Sequence, residues 1–258
     1  MLDRIGRLGI NTATGAVRFL YFLDDVLMAM FRDRGRGERV LRGVFVHQVY
    51  FTGVQALPML SILAASIGIA TTLGALVSLP AIGAAEYLGI TIVLVVIREL
   101  APIVTAVIVI ARSGTAMASE LASMSIEDEI NAMKAMKINH IRLVVLPRLF
   151  GGIVSVLCLT GYFACVAILA GYAAASLTMD YPMETFLVEV VAAIRPSDII
   201  VSFLKGAVFG AIVPLFSCYY GLSAEYSSTQ IPQMTTRATI SSLVWCFIAG
   251  FVVTFLTY

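Results

Sequence analysis

Arg98 and Glu99 stand side by side in an apolar run, VLVVIRELAPIVTAVIVI (93–110). An ionised pair in such a run costs several kcal/mol unless it is paired or wetted. Adjacent helical residues point about 100° apart, so the two cannot neutralise each other on one face and each needs its own partner. Lys205, several residues into a later apolar run, is the other ionisable residue placed inside a span, and a Glu99–Lys205 contact is one way to satisfy both. Two readings stay open. The charges are ionic glue between helices, or they line a wet cavity that meets a polar headgroup. Pro102 follows three residues after Glu99; it cannot donate a backbone hydrogen bond, so it frees a carbonyl and can kink the helix.

The second polar constellation is the stretch of about 113–142. Glu127, Asp128 and Glu129 precede Lys134 and Lys137, the charge order that a helix dipole favours. Leu121, Met124, Ile130, Met133, Met136 and Ile138 recur at three-to-four spacing. A solvated surface helix has that pattern, and so does a Met-rich face that docks in a partner groove. Other chemistry is disfavoured. No G-x4-G-K-[ST] loop exists for ATP. His47 and His140 sit at the edges of apolar runs, so a Ser–His protease has no histidine inside a span, and Ser113 reads as a helix residue. Cys158, Cys165, Cys218 and Cys246 lie in apolar runs without metal or disulfide spacing and read as packing residues. No metal site is expected.

The elements that position these residues follow from composition. The chain has 258 residues, of which 60% are hydrophobic and 13% charged, and its mean hydropathy is +0.95. A soluble domain carries about 25% charged residues. This is therefore an all-α integral membrane protein, and a net charge of +1 leaves no footprint for nucleic acid. Met1 to Phe31 lacks the basic-then-apolar order of a cleavable signal, because Asp24-Asp25 interrupts it. Residues 2–31 instead predict an amphipathic helix at the membrane surface, with Phe19, Leu20, Leu23, Leu27, Met30 and Phe31 on one stripe. A basic linker (31–39) and a short interfacial helix (37–52) follow. Residues 1–52 thus form the interfacial part, and residues 53–258 form a domain of five spans.

The spans are predicted at 57–79, 87–111, 144–174, 199–220 and 238–258, with a loop carrying Asp180, Glu184, Glu189, Arg195 and Asp198 before the fourth. Fourteen of the seventeen Lys and Arg residues fall on one side if the N-terminus is cytoplasmic, which predicts N-in, C-out. Ala64-x3-Gly68, Gly161-x3-Cys165 and Gly206-x3-Gly210 read as helix-packing contacts.

The order Arg98-Glu99-Leu100-x-Pro102, Ala106, Arg112-x-Gly114, Glu120, Met124, Met136, Pro147-Arg148 and Thr235-Thr236-Arg237 resembles the MlaE/YrbE family. These are permease subunits of lipid-transporting ABC systems that work with MCE-domain proteins, and the likeness runs from about Gln48 to Tyr258. The resemblance implies a homodimer in the bacterial inner membrane that moves phospholipid to or from a periplasmic MCE-domain carrier. It implies no enzyme activity and no cofactor on this chain, since ATP would be bound by a separate cytoplasmic ATPase. By position, Arg98, Glu99, Leu100 and Lys205 border the lipid cavity, together with Leu79 and Ile82. Glu127, Asp128, Glu129, Met133 and Met136 match the ATPase-coupling helix. The chain departs from the family pattern at Leu73-Gly74, at Glu127-Asp128-Glu129, at Lys137-Ile138-Asn139-His140 and at Gly250. From the residues alone, a proton-coupled secondary transporter using Glu99 and a membrane scaffold or enzyme remain alternatives.

Overall fold

The computed structural model describes residues 17–30, 38–81, 83–84, 87–179, 182–224, 227 and 229–257. The expectations for residues 2–16, the linker 31–37 and Ile82 fall outside them. Every regular element among the described residues is helical. We name them α1 (17–30), α2 (Glu38–Thr52), α3 (Leu57–Ala81), α4 (Leu88–Ile126), α5 (Glu129–Ala135), α6 (Ile141–Thr178), α7 (Met183–Ala193), α8 (Pro196–Leu222) and α9 (Gln230–Thr257). Five helices are long and apolar enough to cross a membrane: α3 with the α2 residues that lead into it, α4, α6, α8 and α9.

Two boundaries differ from the sequence reading. The polar stretch does not begin a new helix at Arg112. Instead α4 runs unbroken for 39 residues to Ile126. At about 1.5 Å per residue that is roughly 55 Å, well beyond a ~30 Å hydrocarbon core. Its polar half stays helical because one side is buried: Met117, Ala118, Leu121 and Ala122 are fully enclosed. A Cβ on Gly221 of α8 would lie 2.7 Å from Leu121 Cβ, so only glycine permits this close crossing. Second, the loop before the fourth span contains α7, whose Phe186 and Val190 are buried; Phe186 packs on Tyr172 of α6 at 5.6 Å between ring centres. On α1, Phe19, Phe22, Val26 and Ala29 pack inward, while Leu20, Leu27 and Met30 of the expected membrane-facing stripe are exposed. Phe19 stacks on Phe216 of α8 (4.7 Å) and meets Tyr219 edge-on (5.1 Å).

The central core joins α3, α4, α6 and α8, with Leu60, Ile92, Val96, Phe163 and Phe209 fully buried. Ala64 and Gly68 pack α3 against α6, where a Cβ on Gly68 would collide with the Ala167 carbonyl. Gly210 makes a second close crossing, where a Cβ would lie 2.7 Å from Ile153 Cα of α6. The third small-residue pair differs: Gly161 faces the Phe203 ring of α8, where a Cβ would lie 3.5 Å away, but Cys165 is exposed. All four cysteines are free.

Candidate functional site: an ion-pair cluster and a short exposed helix

The span that carries Arg98 and Glu99 is π-helical over Val93–Leu100. A π-turn offsets the backbone ladder and leaves carbonyls short of their usual partners. Pro102 removes one more donor from the same ladder. The fourth long helix supplies the replacements. Lys205 Nζ donates to the Arg98 carbonyl at 3.2 Å, and Ser202 Oγ donates to the Ile97 carbonyl at 2.8 Å. Asp198, Ser202 and Lys205 are spaced by four and three residues, so they share one buried face of α8.

Each member of the Arg-Glu pair has its own counter-ion. Arg98 Nη1 meets Asp198 Oδ1 at 3.1 Å, with both side chains nearly closed to solvent. Asp198 Oδ2 also accepts the Arg195 backbone N–H at 3.2 Å, so this carboxylate caps α8 and holds Arg98 at once. Lys205 Nζ donates to both oxygens of Glu99 at 2.7 Å. The Lys205 side chain is 0% exposed and that of Glu99 is 37% exposed, so the buried ammonium depends on a carboxylate that reaches the surface. Thr254 of α9 adds a 3.3 Å hydrogen bond to Glu99 Oε1. The four charges cancel, as a low-dielectric site requires.

Arg98 and Asp198 form the floor of a groove of about 420 Å³ between α4, the α7–α8 junction and the end of α9, with Arg195 at its rim. Leu79 lines a different groove, of about 260 Å³, between α3 and α4. Leu100 is half-buried beside Glu99. Asp198, Ser202 and Thr254 are the site residues that the sequence reading missed. The signal for Asp198 was present: Pro196 fits the first turn of a helix, and an acid two residues later fits its N-terminus.

At the other end of α4 lies α5. Glu127, Asp128 and Glu129 are exposed, and Met136 (64% exposed) and Ile138 stand out beside them. Met133 turns the other way and packs half-buried on the cluster that holds Leu121, Val26 and Val145. Ile130 is buried. Asp128 and Lys137 bracket the helix in left-handed conformation (φ 59° and 56°). After it, Ile138 N–H bonds to the Met133 carbonyl (2.9 Å) and Lys137 N–H to that of Lys134 (3.0 Å), a Schellman close. Asn139 Oδ1 then caps α6 by accepting the Ile141 and Arg142 N–H groups at 3.1 and 3.3 Å. Burial lowers the His140 pKa below its usual 6.5, and Lys134 lowers it further, against an opposing pull from Asp25 of α1.

Residues 45–256 match the family described as Permease MlaE. The chain belongs to the MlaE permease family. Among relatives, a probable ABC transporter permease of Rickettsia prowazekii is 25% identical over 211 residues, 82% of each chain. A probable ABC transporter permease of Synechocystis is 26% identical over 220 residues, covering 85% of this chain and 84% of the relative. The chloroplastic protein trigalactosyldiacylglycerol 1 of Arabidopsis thaliana is 28% identical over 223 residues, 83% of this chain and 63% of that one. This MlaE permease is thus a multi-pass membrane subunit of a transporter, and its ion-pair cluster lies on the helix that the Glu127–Asp128 turn joins to α5.

Proposed function

We propose that this chain is the membrane subunit of an ABC transporter that moves phospholipid between the bacterial inner membrane and a periplasmic MCE-domain carrier, working as a homodimer. A separate cytoplasmic ATPase docks on α5. The observation that carries this reading is the continuity of α4: one helix bears the Arg98–Glu99 cluster near one end and leads directly into the exposed α5 at the other. A push on α5 is then delivered to the groove walls across only the two-residue turn at Glu127 and Asp128. The excess of Lys and Arg around α5 supports a cytoplasmic position for that end. The exposed Met136 and Ile138, next to three carboxylates, suit a partner groove rimmed by basic residues. The relative named for a galactosylated diacylglycerol supports lipid as the cargo.

The test is co-purification. Asp128→Lys together with Glu129→Lys is expected to abolish recovery of the ATPase with the tagged permease while the permease dimer stays intact. Recovery of the ATPase at wild-type stoichiometry would show that docking lies elsewhere.

A further inference from the structure

A second groove, of about 620 Å³, lies far from Arg98, between α2, the polar half of α4 and the start of α6. Its walls are apolar at Phe51, Met124 and Leu143, and one side carries an ion pair: Arg148 Nη2 meets Glu120 Oε1 at 2.9 Å. The Arg148 side chain is 8% exposed and is held by a further bond from Nη1 to the Val144 carbonyl at 3.3 Å. The hydrogen bond to Val144 uses one of the five guanidinium donors. The Glu120 side chain is 61% exposed, and among the described residues its Oε2 has no partner. His47 adds a further polar group to the lining. Next to the groove, α2 turns Val46 and Tyr50 outward. An apolar slot with a fixed cation and anion at its polar end, flanked by an apolar outer surface, is shaped for an amphiphile.

We propose that this groove is a second lipid site, which takes an amine-bearing phospholipid from the leaflet at the α5 end. The phosphate sits on Arg148 and His47, the ammonium on Glu120, and the upper acyl carbons lie along Phe51, Met124 and Leu143. The headgroup dipole then lies against the Arg148–Glu120 pair, so that four charges alternate in sign. An anionic lipid without an amine places its charge beside Glu120 and gains nothing there. The inference rests on the membrane assignment but on neither the ATPase nor the direction of transport, so each can fail separately.

Gly43 provides a substitution that does not threaten the fold. It lines the groove, and a Cβ built there meets nothing within 4 Å. The full-length protein would be placed in nanodiscs of equal parts phosphatidylethanolamine and phosphatidylglycerol, doped with an analogue of one or the other bearing a diazirine high on the acyl chain. Labelled positions are then mapped by peptide mass spectrometry. Labelling around Met124 and Leu143 is expected to be at least fivefold stronger with the ethanolamine probe. Gly43→Trp is expected to cut it at least fivefold and to leave labelling near Leu94 unchanged. Glu120→Gln is expected to bring the two probes to within twofold of each other. Millimolar free phosphoethanolamine should not compete. Labelling that ignores Gly43→Trp, a lack of headgroup preference in the wild type, or full competition by the soluble ester would each overturn the proposal. So would protection of the groove by the ATPase or a second copy.

Discussion

The unequal burial of Glu99 and Lys205 has consequences that a symmetric ion pair would lack. Removing the carboxylate leaves an ammonium with no exposure and only neutral oxygens around it, whereas removing the ammonium leaves a carboxylate that water and Thr254 can still reach. Breaking a buried pair from the side that strands the charge costs about 3 kcal/mol or more. Glu99→Gln should therefore lower the thermal unfolding midpoint in detergent more than Lys205→Met does. The double variant should recover much of the loss, because neither charge is then stranded. Equal effects of the two single changes, with simple addition in the double, would contradict this account. Arg98 is governed by Asp198 in the same way, but that pair is closed on both sides. The need for partners was legible in the sequence, because charges in an apolar run stand out. The identity of Arg98's partner was not, because Asp198 is a hundred residues away in a stretch rich in loop-like acids.

Among the elements, the hinge around α5 departs furthest from ordinary backbone preference. Lys137 occupies the left-handed position after the helix, where a side chain costs about 1 kcal/mol relative to glycine. Lys137→Gly should stabilise this close by about that amount, read as slower hydrogen exchange at the Lys137 and Ile138 amides; faster exchange would contradict it. Besides its burial, His140 feels charge from both sides of the hinge, its pKa lowered by Lys134 and raised by Asp25 of α1. Its folded pKa lies below the unfolded 6.5, so the fold favours the neutral ring. That contribution is complete above pH 6.5 and is lost as the pH falls through 6.5 towards the folded value. The midpoint difference between pH 7.5 and pH 5.5 should shrink in His140→Gln; an unchanged difference would assign the pH dependence to other groups. The five spans were readable from apolar length alone. The unbroken passage of α4 into the polar stretch was not, because the cue is burial of Ala118 and Leu121 against Gly221, a contact made a hundred residues along the chain. α7 escaped for a similar reason: Glu184 and Glu189 read as loop acids until Phe186 is seen against Tyr172.

For the whole molecule, the proposed function casts α4 as a lever. α4 crosses the core, is pinned near one end by two ion pairs to α8, and emerges at the other beside a short helix that offers charge and exposed methionine. Its middle is fixed by close crossings, and the groove above Arg98 lies on the far side of them from α5. Arg112 adds a brace where α4 leaves the core, donating to the Phe51 carbonyl (3.0 Å) and to Gln55 (2.6 Å) at the α2–α3 junction. The most direct test is transfer of fluorescent phospholipid from proteoliposomes that contain the permease with its ATPase. The account predicts transfer that requires ATP hydrolysis, is lost when Asp128 and Glu129 are both changed to Lys, and is unaffected by collapse of a proton gradient. Transfer driven by a proton gradient without nucleotide, and undiminished in the charge-reversed protein, would contradict it.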